Sequence, residues 1–193
     1  MTLVQEHQSQ VKHYTVDEFE RFLRLPENLD RLFELIDGAI VEKMPTQEHG
    51  LVATNLVIAL GSFVKAQKLG RVGVEVRHQL PKDHANSRMP DVSFTSARQP
   101  LVKQGSVPQM PDLAIEIQSP DDTIKQLREK AAYYLEHGAR LVWLIYPRKR
   151  FIEVYSLDND VEILLEGDVL TGADVLPDFF MPVADIFADP LAD

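Results

Sequence analysis

Cysteine is absent from this sequence of 193 residues. Without cysteine, neither a disulfide framework nor a thiolate zinc site can form, and we expect a cytoplasmic location. The six histidines show no HExxH or similar spacing, so a histidine-based zinc site is not predicted either. The sequence therefore gives no support to a zinc enzyme.

Long apolar runs and nucleotide-binding loops are also missing. No run of eighteen or more apolar residues occurs, so we expect no membrane-spanning helix and no membrane partner. There is no GxSxG elbow, GxGxxG loop or P-loop, which leaves serine hydrolase, dinucleotide-binding and NTP-binding functions without support. Residues 1–13 are polar and lack the apolar core of a secretory signal. We expect them to form a flexible leader before one domain of residues 14–193.

Positive charge is scarce, since 20 lysines and arginines face 30 acidic residues and the net charge is −10. This balance counts against a general nucleic-acid-binding domain, because phosphate neutralisation supplies most non-specific affinity. Carboxylates that hold a divalent cation are partly neutralised by it, and a local basic patch can work on an acidic protein. Nucleic-acid chemistry is therefore weakened as an interpretation but not excluded.

Capping and turn signals divide the N-terminal half of the chain. Thr15 and Glu18 form a capping box, Asp37-Gly38 predicts a hairpin turn, and Gly70 is the expected end of a second helix. The predicted elements are a helix over 15–25, a hairpin over 32–44, a helix over 50–68, and strands over 72–76 and 91–95.

A strand, a helix and a second strand follow one another in the C-terminal half. The pattern predicts a strand over 112–118, a helix over 122–137 that ends at Gly138, and a fully apolar strand over 141–146. This order is typical of a βαβ crossover, which places the two strands parallel and near the sheet centre. With a ribbon over 151–166, the sequence predicts an α/β fold with a mixed central sheet flanked by helices.

The strand over 112–118 carries an acidic residue where a buried one is costly. Alternation places Glu116 on one face with Ala114, and Ile115 on the other. An unpaired buried carboxylate costs several kcal/mol, so a central Glu116 needs a reason, whereas on an edge strand it would simply face solvent. Asp91 begins another short strand. Two carboxylates on adjacent strand ends are suitable ligands for Mg²⁺ or Mn²⁺ in a hydrolytic site.

Phosphodiester cleavage also benefits from a cation that stabilises developing negative charge. The usual position, two residues after the glutamate, holds the uncharged Gln118. On the following helix, Lys130 and Arg128 flank opposite edges of the apolar stripe, so either of them could reach back over the strand end. Helical geometry alone does not choose between the two.

These residues belong to an ordered set that extends along most of the chain. The set contains Phe33–Gly38 (FELIDG), His49-Gly50, Pro90-Asp91-Val92, residues 111–122 (PDLAIEIQSPDD), Lys130, Tyr133 or Tyr134, Gly138 and residues 141–147 (LVWLIYP). It resembles the Uma family of bacterial restriction endonucleases, which belongs to the PD-(D/E)xK restriction-endonuclease-like superfamily. The resemblance implies a restriction-endonuclease-like fold and Mg²⁺-dependent hydrolysis of DNA.

The resemblance also implies roles for single residues. Asp91 and Glu116 match the acidic metal ligands, and the main-chain carbonyl of Ile117 matches a further one. Lys130 matches the helix lysine that replaces the strand lysine. Glu34 matches an acidic position that faces the same cleft, although an exposed strand residue would look the same in the sequence. For His49, the alternatives are support of the site and a mere place at the start of a helix.

Two questions stay open at this point. The net charge and Gln118 motivate a second hypothesis, a nuclease-fold protein that binds nucleic acid or assembles without catalysing cleavage. The apolar tail over 175–187 and the ribbon after residue 150 favour a homodimer, which would suit double-strand cleavage, unless the tail packs on its own sheet.

Overall fold

The structure is a computed structural model that describes residues 12–157 and 160–191. Most of the predicted leader, residues 1–11, therefore lies outside the described residues. The described helices are α1 (Val16–Leu23), α2 (Gln47–Gln67), α3 (Ile124–Glu136) and α4 (Val183–Ile186). The strands are β1 (Leu32–Ile36), β2 (Ala39–Lys43), β3 (Gly70–Val74), β4 (Val92–Ser96), β5 (Leu113–Ile117), β6 (Leu141–Tyr146), β7 (Phe151–Ser156), β8 (Glu162–Leu165), β9 (Val169–Gly172) and β10 (Leu176–Pro182).

The central sheet has six strands in the order β3-β4-β5-β6-β7-β8. Strands β5 and β6 run parallel and are joined through α3, while the other neighbouring pairs are antiparallel. The predicted α/β class, the mixed sheet and the βαβ crossover are thus confirmed. Two further hairpins, β1–β2 and β9–β10, form separate two-stranded sheets.

The two faces of β5 belong to different layers. Leu113, Ile115 and Ile117 join the larger apolar core with α2, whose buried face consists of Val52, Leu56, Leu60 and Val64. Ala114 lies on the other face, in a second core that contains buried residues of α3. The alternation expected from the sequence is therefore present, although every residue of β5 is buried.

The C-terminal segment packs on its own chain. Leu176, Phe179, Val183 and Ile186 are buried in the larger core, where the Phe179 ring stacks against Trp143. Of the two interpretations of this apolar tail, the structure supports packing on the protein's own sheet. The tail consequently supplies no separate argument for a dimer.

Two predictions about element ends are wrong, each for a backbone reason. Helix α2 ends within one residue of the predicted position 68, but the residue that stops it is Lys68, which adopts the left-handed conformation with φ of 55°, and not Gly70. Gly70 starts β3 instead, where the β4 backbone at Thr95 approaches so closely that a Cβ atom would collide with it. The strand predicted over 72–76 ends at Val74, because Glu75 turns with φ of 50°.

Helix α2 has the length and apolar composition of a membrane span, and it is the one helix within residues 12–157 and 160–191 that meets this test. One such helix is weak evidence, since core helices of globular proteins also meet it. Here one side of α2 packs against the sheet, as the hydrophobic core shows.

Candidate functional site

Asp91 and Glu116 meet at the junction of β4 and β5. Val92 pairs with Ile115, so one further step along this antiparallel register places Asp91 opposite Glu116. Residues opposite each other in this way have Cβ atoms roughly 5 Å apart. The Ile117 N–H donates to Oδ2 of Asp91 over 2.7 Å. Both carboxylates are buried, Glu116 on the central strand β5 and Asp91 immediately before β4, so the exposed-edge interpretation of Glu116 is wrong.

Lys130 reaches Glu116 from α3. Its Nζ donates to Oε2 of Glu116 over 2.9 Å and to Oε2 of Glu34 over 2.8 Å. Arg128 points elsewhere and donates to Glu153 on β7. The structure thereby selects between the two helix cations that the sequence left open.

Glu34 faces the cleft from the separate β1–β2 hairpin. Its side chain is buried, and Oε1 accepts from the Met89 N–H over 2.7 Å. It is therefore not an exposed strand residue. The opposite face of the hairpin carries Phe33 and Leu35, which form a small third core with Val16 and Phe19 of α1. This core fixes the face that the hairpin turns toward Asp91.

A second lysine, Lys43 on β2, was not anticipated from the sequence. Its Nζ forms an ion pair with Oδ1 of Asp91 and donates to the Met89 carbonyl over 2.9 Å. A signal for it existed in the hairpin register. Val41 pairs with Glu34, so Lys43, two residues later, shares the cleft face.

Two further buried groups contact the carboxylates. His49 lies in the first turn of α2, and its Nε2 is 3.1 Å from Oδ2 of Asp91. It both begins the helix and contacts the site. The Tyr134 hydroxyl donates to Oε1 of Glu116 over 2.6 Å, whereas the Tyr133 hydroxyl donates to Asp83 at the rim. Tyr134 is thus the tyrosine that contacts Glu116, whereas Tyr133 lines the cleft near its rim.

Gln118 lies outside this group. Its side-chain amide donates to the Asp122 carbonyl over 2.9 Å, and it does not line the cleft. The position where the general motif carries lysine therefore serves the turn that precedes α3. The positive charges near Asp91 and Glu116 come instead from Lys130 on α3 and Lys43 on β2.

Burial and the lysines shift the pKa values of the site in different directions. Burial alone would raise the pKa of Asp91, but the Lys43 ammonium and the His49 hydrogen bond outweigh it and lower that pKa. For Glu116, burial dominates, and the pKa is raised despite Lys130, with Glu34 and Asp91 adding like charge. Burial opposes protonation of Lys130, but Glu116 and Glu34 raise its pKa. Lys130 accordingly stays charged at neutral pH.

Glu34, Lys43, Asp91, Glu116 and Lys130 line a cleft of about 1000 Å³ and form its floor. Its rim is strongly acidic, with Asp37, Glu42, Asp83, Asp121, Asp122, Glu129 and Glu136. Beyond the two lysines, Arg88 is the arginine that lines it. A polyanion approaching this cleft meets mostly negative charge, so the electrostatic objection raised by the composition applies to the site as well.

The ligand types present here suit a hard divalent cation. Asp91 and Glu116 offer the carboxylate oxygens that Mg²⁺ and Mn²⁺ prefer, and Ile117 also lines the cleft. However, each carboxylate oxygen of Asp91, Glu116 and Glu34 already accepts from a protein donor. Among the described residues, no group of three or more His, Cys, Asp or Glu side chains is arranged as a ready metal cage. The carboxylates are thus suitable ligands for a divalent cation, but the Lys43 ammonium pairs with Oδ1 of Asp91 and the Lys130 ammonium pairs with Oε2 of Glu116.

Comparison with known structures gives a similar fold. The crystal structure of a putative nuclease belonging to DUF820 from Anabaena variabilis is 27% identical, with a TM-score of 0.76, and the alignment covers 90% of this chain and 97% of that one. A cryo-electron microscopy structure of a DrdV–DNA complex matches 61% of this chain and 12% of its own, at 13% identity and a TM-score of 0.37, which is too low to support an inference.

Sequence comparison gives the family. No curated protein sequence matches this chain. The profile of the Uma2 family, described as "Putative restriction endonuclease", matches residues 19–184 and so includes the five residues of the cleft floor, Glu34, Lys43, Asp91, Glu116 and Lys130. The chain belongs to the Uma2 family.

Proposed function

We propose that this protein is a Mg²⁺- or Mn²⁺-dependent endonuclease that hydrolyses phosphodiester bonds of DNA. The observation that carries the proposal is the convergence of Asp91, Glu116 and Lys130 on one cleft. Family membership supports the nuclease class. Carboxylate ligands beside the fixed ammonium group of Lys130 support phosphodiester chemistry.

Each residue has a role that follows from its contacts. Asp91 and Glu116 would hold the cation, with the Ile117 carbonyl as a further ligand. A divalent cation supplies a polarised phosphate and a water of lowered pKa when it is bound. Lys130 would stabilise the negative charge that develops on the phosphate, because its ammonium is fixed and stays protonated. Tyr134 and His49 orient the two carboxylates through hydrogen bonds. Glu34 holds Lys130 in place.

The test is a cleavage assay with supercoiled, linear and branched DNA at low salt, with Mg²⁺ or Mn²⁺. We expect Asp91→Asn and Glu116→Gln to lower the cleavage rate by about a hundredfold or more. Glu129→Gln is the matched control, because it removes an acidic rim residue from α3 without touching the floor. Wild-type protein that leaves every DNA intact with both cations would contradict the proposal.

A second candidate function is a nuclease-fold protein that binds nucleic acid or assembles without cleavage. The acidic rim of the cleft favours it, and so do the carboxylate oxygens of Asp91 and Glu116, which already accept hydrogen bonds from protein donors. Metal-independent DNA binding by a protein that cuts no substrate would support this candidate. Cleavage that depends on Glu116 would exclude it.

A homodimer is also proposed, on the free edge of the sheet. Strand β8 pairs only with β7 among the described strands, and Ile163 and Leu165 on it are 58% and 59% exposed. Exposed apolar side chains on an unpaired edge are suited to pairing with a second copy. Light scattering of the wild type and of Ile163→Glu tests this, since a dimer through β8 would dissociate in the variant.

A further inference from the structure

We propose that the Lys43 ammonium competes with the divalent cation for Asp91, so that Lys43 sets the metal affinity of the site. The inference deepens the proposed function and rests on it. Lys43 is then a positioning residue that acts through Asp91 and is not itself a metal ligand.

The two carboxylate oxygens of Asp91 have different kinds of partner. Oδ2 accepts from the Ile117 N–H and lies 3.1 Å from Nε2 of His49, so this oxygen is held by fixed groups of the sheet and of α2. Oδ1 faces Lys43. Since a cation must reach an oxygen of Asp91, the oxygen that can change its partner is Oδ1, and the partner it would give up is the Lys43 ammonium.

Lys43 and Lys130 would lose different fractions of their ion pairs if a divalent cation displaced them from one carboxylate. Lys130 bridges two buried carboxylates, Glu34 and Glu116, so displacing it from one leaves it paired with the other. Lys43 has one carboxylate partner, and its second acceptor is the neutral Met89 carbonyl at 2.9 Å. This carbonyl can keep the ammonium hydrogen-bonded close by after the cation has taken Asp91.

The charge of the cleft floor gives the direction of the effect. Glu34, Asp91 and Glu116 against Lys43 and Lys130 leave a net charge of −1 when all five are ionised. Entry of a divalent cation turns this to +1 if both lysines remain charged, but only to zero if Lys43 is absent. Buried like charges repel strongly, so loss of Lys43 favours the cation.

Calorimetric titration with Mn²⁺ tests the inference on the full chain. We expect Lys43→Met to bind Mn²⁺ about tenfold tighter or more than the wild type. The control Lys65→Met removes an exposed lysine of α2 and should bind like the wild type. A merely structural Lys43 predicts the opposite sign, because loss of its ion pair would loosen Asp91. Equal or weaker binding by Lys43→Met, or no binding by either protein, overturns the inference.

A second measurement uses the wild type alone and decides the matter even if Lys43→Met fails to fold. Acetylation of lysines by an amine-reactive reagent is followed by mass spectrometry with and without Mg²⁺. We expect Mg²⁺ to increase modification of Lys43, whose side chain is 13% exposed and ion-paired, relative to Lys65. Unchanged modification contradicts the competition.

The outcomes for the two proposals are separable. Tighter Mn²⁺ binding by Lys43→Met in a protein that cuts no DNA supports the inference and contradicts the nuclease. Metal-dependent cleavage by the wild type, together with unchanged Mn²⁺ affinity in Lys43→Met, supports the nuclease and contradicts the inference.

Discussion

The Tyr134 hydroxyl donates a hydrogen bond of 2.6 Å to Oε1 of Glu116, and both side chains are buried. Burial of the phenol, reinforced by the nearby carboxylates, raises the pKa of Tyr134 far above its ordinary value, so the hydroxyl stays a donor at any working pH. Tyr134 on α3 is therefore a permanent partner of the carboxylate on β5.

Removal of this hydroxyl should be costly. Tyr134→Phe leaves Oε1 of a buried carboxylate without its donor, and we expect a loss of about 1–3 kcal/mol in the free energy of unfolding, measured in urea. Tyr133→Phe is the matched control, because its hydroxyl pairs with the partly exposed Asp83. We expect it to lose less than about 1 kcal/mol. Equal losses in the two variants would contradict this account.

Lys130 holds two buried carboxylates, so its removal should depend on them. Lys130→Met removes the ion-pair partner that Glu34 and Glu116 share, and we expect a destabilisation of about 3–5 kcal/mol. Adding Glu34→Gln removes one of the unpaired charges. The double variant should therefore be more stable in urea than Lys130→Met alone. Strictly additive losses would show that the ion pair contributes nothing.

The raised pKa of Glu116 predicts a pH-dependent gain in stability for Glu116→Gln. Burial makes the ionised form unfavourable, so wild-type stability falls as the pH rises from below the ordinary value of 4.5 through the raised pKa. Glu116→Gln lacks this loss and should melt at a higher temperature than the wild type at pH 8, with the difference closing toward pH 4. Each unit of pKa change corresponds to about 1.4 kcal/mol.

Glu153 provides the opposite control for that experiment. Burial would raise its pKa, but hydrogen bonds from Arg128, Tyr155 and Tyr146 outweigh burial and lower it. Its contribution to stability is present above the unfolded pKa and is lost as the pH falls through the folded one. Glu153→Gln should be less stable than the wild type at pH 8, with the difference shrinking in acid. The same sign in both variants would contradict the pKa directions.

The end of α2 offers a prediction independent of function. Lys68 has φ of 55°, a conformation that costs a residue with a Cβ about 1–2 kcal/mol. Lys68→Gly should therefore raise the free energy of unfolding in urea, by up to about 1 kcal/mol after the entropy of the unfolded chain is counted. Lys65→Gly, inside the helix, should lower it by about 0.5–1 kcal/mol. A loss in Lys68→Gly would count against the left-handed end.

Local patterns in the sequence were sufficient to predict the central unit of the fold, which consists of β5, α3 and β6. Alternation along β5 and the order of strand, helix and apolar strand predicted both the crossover and the faces of the strand. The spacing of Asp91 and Glu116 was also sufficient to propose them as neighbours. These signals act over a few residues or follow from the handed, short connections of α/β proteins.

The contacts that the sequence did not reveal are between segments that are distant in the chain. Lys43 meets Asp91 across 48 positions, and this depends on how the β1–β2 hairpin docks beside β4. Lys130 was separable from Arg128 only once the partner of Arg128, Glu153, was located on β7. The residue that stops α2 was misidentified as Gly70, because Lys68 adopts the conformation that usually favours glycine.

The β1–β2 hairpin brings one acid, Glu34, and one base, Lys43, to the cleft. Loss of either alone changes the charge of the floor by one unit, whereas loss of both leaves it unchanged. In evolution, a replacement at one of these positions therefore creates pressure for a compensating replacement at the other. We expect positions 34 and 43 to co-vary among relatives. We expect this even though Glu34 forms its ion pair with Lys130 and Lys43 forms its ion pair with Asp91.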